Sequence, residues 1–300
     1  MESPTLNTHT LQSQRTLARA AMVDGVGLFT GKDCRCTIHP ADANHGIMFS
    51  IDTVSIPVGA SAISERPVHA AFAHMPARCS ALESGASTVW LVEHVLSALA
   101  GLGITNARIE LDHSEVPIGD GSALPFVDAI QSAGTVAQVA PLNAIKLDET
   151  VRVEDGDSWI QAQPTDRSQS SYAYTIDYGD DSPIKQTTVR WDGDADEYTR
   201  RIAPARTFCL EHEAVVLKNA GLFAHLDIGQ MLVLGADGPM GTALRDPDEC
   251  GLHKLLDLIG DVALVGECVI AEYTAHKSGH RLAHKLAIEI QRKLTRFTSE

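Results

Sequence analysis

Two stretches of this chain are apolar on nearly every side and still carry acids and histidines: TVWLVEHVLSALAGLG (88–103) and GLHKLLDLIGDVALVG (251–266). A helix lying on a protein surface needs only one apolar stripe. A helix apolar around most of its circumference must be covered on more than one side. Each therefore belongs between its own sheet and a second helix layer. The segments around them repeat one grammar. Strand-like stretches (17–49) precede a helix over 87–103, the strand NARIELD and a second helix in GSALPFVDAIQSAG, with Ser122 as candidate N-cap and Pro125 in its first turn. IKLDETVRVEDGDSWIQAQP and SYAYTIDYGD then read as strands, EHEAVVLKNAGL as a short helix in an insertion, GLHKLLDLIGDVALVG as a helix, VIAEYTAHKSG as a strand and HRLAHKLAIEIQRKL as a closing helix.

The expected class is α+β, with two sequential domains of similar β-α-β-α topology, 1–138 and 139–300. Each is read as an antiparallel sheet with helices on one face, and the two helix layers pack together with the active site between them. The stretch 133–144, with Gly134, Pro141 and Asn143, reads as the linker.

Composition narrows the function. The chain has 300 residues, 44% of them hydrophobic, and 39 acidic residues against 24 basic ones leave a net charge of −15. That balance opposes nucleic acid and anionic membranes as partners for the surface as a whole. The first twenty residues lack the apolar core of a signal peptide, and no run is long enough to span a bilayer, so a cytoplasmic chain is expected. The six cysteines have no CxxC spacing. Cys34 and Cys36, on one face of the likely strand CRCTI, read as buried free thiols. The sequence carries no oligomer signal, and a monomer is expected.

On a helix His253, Asp257 and Asp261 fall along one stripe amid leucines. A neutral imidazole and a carboxylate one turn apart are a ready pair of metal ligands. The alternatives are an exposed helix pair or a locally satisfied buried histidine. His94 offers a third ligand, and its neighbour Glu93 would be held near the ion without binding it. Three protein ligands leave a fourth position open, which is the layout of a catalytic site, with Glu93 available as general base. In AHKSGHRLAHK, His280 falls in the first turn of a helix, where the dipole lowers its pKa unless a carboxylate such as Asp261 opposes it. His276 and His284 read as surface histidines of an amphipathic helix.

These residues sit in motifs that occur in one order along nearly the whole chain: QRTLARA with GVGL and GK (14–32), VEHVLSALAGLGITN (92–106), EVPIGDGSALPFV (115–127), ARTF (205–208), HKLLDLIGD (253–261) and HKSGH (276–280). In this the chain resembles the UDP-3-O-acyl-N-acetylglucosamine deacetylases, metal-dependent amidases of lipid A synthesis with two α+β domains of duplicated topology. The resemblance implies that His94, His253 and Asp257 bind Zn2+, with Fe2+ equally suited to such ligands. It also implies that Glu93 is the general base, and that His280, backed by Asp261, stabilises the oxyanion and protonates the leaving amine. Thr207 would donate to the oxyanion, Lys254 would meet the diphosphate, Phe208 would line the sugar pocket, and Tyr178 would stack on the uracil. UDP-3-O-acyl-N-acetylglucosamine and water would be the substrates.

Three positions depart from the family pattern. Phe29 replaces the histidine of GVGLHSG, and Leu91 replaces the Ser or Thr two before Glu93. The segment FAHLDIG (223–229) stands for a longer, smaller-residue GGSLDNA that borders the acyl passage. Two readings therefore stay open beside the first: a deacetylase of another N-acetyl sugar nucleotide, and a non-catalytic sugar-nucleotide-binding relative.

Overall fold

The structure, a computed structural model, describes residues 8–72, 77–226 and 229–298. Two five-stranded sheets share one plan. In the first the spatial order is Ala21–Val26, Asp33–Pro40, Ala107–Leu111, Ile47–Ile51, Val54–Pro57. In the second it is Val151–Asp155, Ser158–Gln163, Glu272–His276, Ser171–Ile176, Thr187–Trp191. In each, the last strand in sequence takes the centre, antiparallel to the second and parallel to the third. The sheets are thus mixed, where antiparallel ones were expected. The reason is the helix before each central strand, which returns the chain in a parallel crossover.

Among the described residues six α-helices accompany the sheets: α1 (Glu93–Gly101), α2 (Leu124–Ala133), the single turn α3 (Ala195–Glu197), α4 (Glu211–Asn219), α5 (Glu249–Val262) and α6 (His280–Thr298). The apolar helices α1 and α5 pack on each other in the middle of the molecule, and Gly260 of α5 sits against the backbone of Glu93. A Cβ at Gly260 would come within 2.1 Å of the Glu93 carbonyl oxygen. That missing side chain lets the two helices approach closely enough to share one site.

α1 is shorter than expected. Ser87–Trp90 is a strand paired with Ala81–Ser84, and Leu91, at φ 64°, breaks the chain before the helix starts at Glu93. Thr88, Val89 and Trp90 favour strand, and a short apolar run does not declare its period. The helix cap differs too. Ala123 is the N-cap of α2, while the Ser122 hydroxyl accepts from Leu124 N at 3.1 Å.

The stretch read as a linker is also a strand. Thr135–Lys146 pairs antiparallel with Thr8–Leu17 and parallel with Val269–Ile270, so the expected boundary at 138 and 139 falls inside it. Its alternating TVAQVAPLNAIK fits a strand, and Pro141 is tolerated because it lies at a register irregularity opposite Ser13. A small sheet of Phe208–Leu210, Leu232–Gly235 and Gly238–Met240 with α4 forms the expected insertion beside the seam. Among the described residues no helix is long and apolar enough to cross a membrane.

Candidate active site

Where α1 meets α5, a cavity of about 460 Å³ opens, lined by Glu93, His94, Tyr178, Thr207, Phe208, His253, Lys254, Asp257 and His280. Asp261 lies just behind His280. Every residue to which the resemblance assigns a role is therefore at one place.

His94, His253 and Asp257 form one cluster, all buried. Asp257 Oδ1 is 3.4 Å from His253 Nε2 and 3.8 Å from His94 Nε2, and the imidazole rings stand edge to face with centroids 5.2 Å apart. One ligand atom from each residue lies within 4.8 Å of the others. The tautomer of His253 follows from its other nitrogen: Nδ1 donates to the Ala205 carbonyl at 3.0 Å, which leaves the Nε2 lone pair facing Asp257. Among the described residues Asp257 Oδ1 is buried with no hydrogen-bond donor. A buried carboxylate oxygen facing two imidazoles is costly alone and suits a divalent cation.

The electrostatics agree with that donor set. Burial, then the neighbouring His253, holds His94 down at about 3, and burial lowers His253 as well. Both rings are neutral and able to ligate. Burial alone would raise Asp257, but the charges of Lys254 and His280 beside it hold it well below the usual carboxylate range. Lys254 donates from Nζ to Asp257 Oδ2 at 2.7 Å, and despite burial that carboxylate pushes the ammonium pKa up.

On the open side of the cluster stand an acid and a base. Glu93, at 2% exposure, is pushed up to about 8 by burial, against the pull of His280. His280 Nε2 lies 3.8 Å from Glu93 Oε1 and 3.9 Å from Asp257 Oδ2, while its Nδ1 meets Asp261 Oδ2 at 2.9 Å. Burial would lower His280, yet Asp261, Glu93 and Asp257 together raise it to about 9. The ring at the start of α6 is thus cationic in spite of the helix dipole.

Backbone contacts set the outer wall. Thr207 N donates to the Gly121 carbonyl at 2.7 Å, and a Cβ at Gly121 (φ 87°) would come within 2.2 Å of the Gln230 carbonyl. Only glycine lets the two segments cross there. The Phe208 ring lies 6.1 Å from His253 and 6.1 Å from the half-exposed Tyr178. Of the three departures, Phe29 is buried against Phe72 and Phe223, Leu91 lines the cavity, and His225 donates from Nε2 to the Gly27 carbonyl at 3.0 Å. In FAHLDIG, Asp227 and Ile228 lie outside the described residues.

Two histidine expectations are corrected. His284 is buried, with Nε2 2.7 Å from the Ser80 hydroxyl, because its helix face turns inward beside His280. His276 ends the strand Glu272–His276, half-buried and stacked on Trp159. Some supporting residues had no role assigned from the sequence, although Glu115 and Arg206 lie within the quoted motifs. Glu115 accepts from Phe29 N, Thr30 N and Thr30 Oγ1 and pins the Gly27–Lys32 loop. Buried Arg206 donates to Glu249 from Nε at 2.7 Å and from its own N–H at 3.1 Å, next to the carbonyl that orients His253. Glu249 stands one turn before His253, a spacing that could have exposed it.

Two histidines and one aspartate around an unpaired buried oxygen, with a carboxylate and an imidazolium facing the same cavity, define the class: a metal-dependent hydrolase. The family follows from comparison with known proteins. The family model described as UDP-3-O-acyl N-acetylglycosamine deacetylase (LpxC) matches residues 14–292, and the chain belongs to that family. It is 39% identical over 285 residues to the UDP-3-O-acyl-N-acetylglucosamine deacetylase of Myxococcus xanthus, covering 93% of this chain and 86% of that one. It is 37% identical over 281 residues to the enzyme of that name from Cellvibrio japonicus, covering 91% and 88%. With the Methylococcus capsulatus enzyme of that name, identity is 37% over 286 residues, covering 92% and 89%.

Proposed function

We propose that this chain hydrolyses the N-acetyl group of UDP-3-O-acyl-N-acetylglucosamine, releasing acetate in lipid A biosynthesis, with His94, His253 and Asp257 as ligands of a zinc ion. Ferrous iron suits the same donors. The observation that carries the reading is the buried, unpaired Asp257 Oδ1 facing two neutral imidazoles beside Glu93 and His280.

Bound there, the divalent ion supplies Lewis acidity toward water and the amide carbonyl. The protein's own groups move the protons. Glu93 takes a proton from the attacking water as its oxygen bonds to the amide carbon. The His280 imidazolium and the Thr207 hydroxyl face the charge that develops on the carbonyl oxygen. As the C–N bond breaks, His280 gives its proton to the amine nitrogen, and Asp261 holds the ring in place through Nδ1. Lys254 spends one N–H on Asp257 and offers the others to the diphosphate, Phe208 borders the sugar, and the exposed Tyr178 ring stacks on the uracil.

The site is built by two α+β halves of one chain, so a monomer suffices. We place the protein in the cytoplasm, and its six free cysteines suit a reducing compartment. The test is acetate release from the UDP-sugar by protein of known metal content. Activity lost to a chelator and restored by zinc is expected. A fully loaded protein that releases no acetate would overturn the proposal.

A further inference from the structure

Ser80, fully buried and outside the cavity lining, touches both arms of the acid–base machinery. Its N–H donates to Glu93 Oε2 at 3.0 Å. Its hydroxyl donates to Asp261 Oδ1, while Asp261 Oδ2 holds His280. Its oxygen also meets His284 Nε2 at 2.7 Å. A serine hydroxyl has one proton, and spending it on the carboxylate leaves only lone pairs for His284. His284 must therefore donate from Nε2. Burial lowers His284 to about 4, so the ring is neutral with a single N–H to give.

We propose that Ser80 and His284 are positioning residues for the hydrolysis: His284 orients the Ser80 hydroxyl, which fixes Asp261 and with it His280, while the Ser80 N–H fixes Glu93. The inference rests on the roles proposed above for Glu93 and His280. Its physical content is that one residue from the first half locks the base of that half to the acid of the second. A rotation of the Ser80 hydroxyl away from Asp261 frees the carboxylate and lets the His280 ring swing off the amine. Losing such a partner one step removed from the chemistry costs about tenfold or more in rate.

The test uses metal-loaded full-length protein. Ser80→Ala is expected to lower kcat about tenfold with KM within about twofold and metal content intact. Ser80→Thr restores most of that loss. His284→Gln, which carries an N–H near the position of Nε2, keeps most of the rate that His284→Leu loses. Combined with Asp261→Asn, Ser80→Ala costs less than the product of the two single losses, because both act through one arm. NMR of ¹⁵N-histidine-labelled protein shows His284 protonated at Nε2, a readout that needs no variant to fold. Protonation at Nδ1, fully multiplicative losses, or a loss confined to KM or metal content would overturn the inference. If Asp261→Asn and His280→Ala leave the rate unchanged, the assignment of His280 as acid fails and takes this inference with it. If those two collapse the rate and Ser80→Ala does not, only this inference fails.

Discussion

Glu93 Oε1 and His280 Nε2 face each other at 3.8 Å across the seam between the two halves of the chain. Each favours the charged form of the other, against a burial that disfavours both charges and leaves Glu93 raised to about 8. The proposed chemistry needs an ionised Glu93 to accept a proton and a protonated His280 to give one, so the rate is a bell in pH. A cation held by the neighbouring cluster pulls Glu93 below its value of about 8, toward the working range. Asp261 raises His280, so Asp261→Asn lowers the His280 pKa and moves the alkaline limb to lower pH. The limbs belong to the coupled pair, so the comparison is between variant and parent. An alkaline limb that stays in place in Asp261→Asn contradicts the assignment.

The proposed metal ligands carry a second prediction. His94→Ala, His253→Ala and Asp257→Ala each remove one of three converging donors and are expected to lose most of the bound metal. Elemental analysis of the purified variants checks this. One full equivalent retained in Asp257→Ala would dismiss the ligand set.

Lys254 is bonded to Asp257 and also lines the cavity, so its two roles separate kinetically. If it meets the diphosphate in ground and transition states alike, Lys254→Ala raises KM more than it lowers kcat. A fall in kcat at unchanged KM would assign it to Asp257 instead.

Arg206 and Glu249 form a buried, multiply hydrogen-bonded pair at the foot of α5. Arg206→Met leaves the Glu249 carboxylate buried without its cation, at a cost of roughly 3–5 kcal/mol in urea unfolding. A cost under about 1 kcal/mol would mean that water or a rearranged neighbour replaces the arginine.

What the sequence made legible was what local periodicity encodes. His253 and Asp257 could be paired because a helix sets residues one turn apart on one face, and the apolar surround of α1 and α5 implied burial between layers. The resemblance added roles for Thr207, Lys254, Phe208 and Tyr178, and the cavity gathers them. Contacts across the seam were not legible. Nothing near Ser80 announces that its hydroxyl reaches Asp261 and His284. The 133–144 stretch misled because Gly134 and Pro141 mark turns locally, while pairing with Thr8–Leu17 decides its conformation.

The measurement closest to the central claim is acetate release from UDP-3-O-acyl-N-acetylglucosamine by the parent protein and by Glu93→Gln, each at one measured equivalent of metal. The substitution keeps the shape of Glu93 and its contact with the Ser80 N–H and removes its basicity. Release by the parent and a fall of about 10²- to 10⁴-fold in Glu93→Gln, with the metal retained, are expected. Acetate release by the Glu93→Gln protein within about threefold of the parent rate, short of what a positioned base contributes, would contradict the central claim.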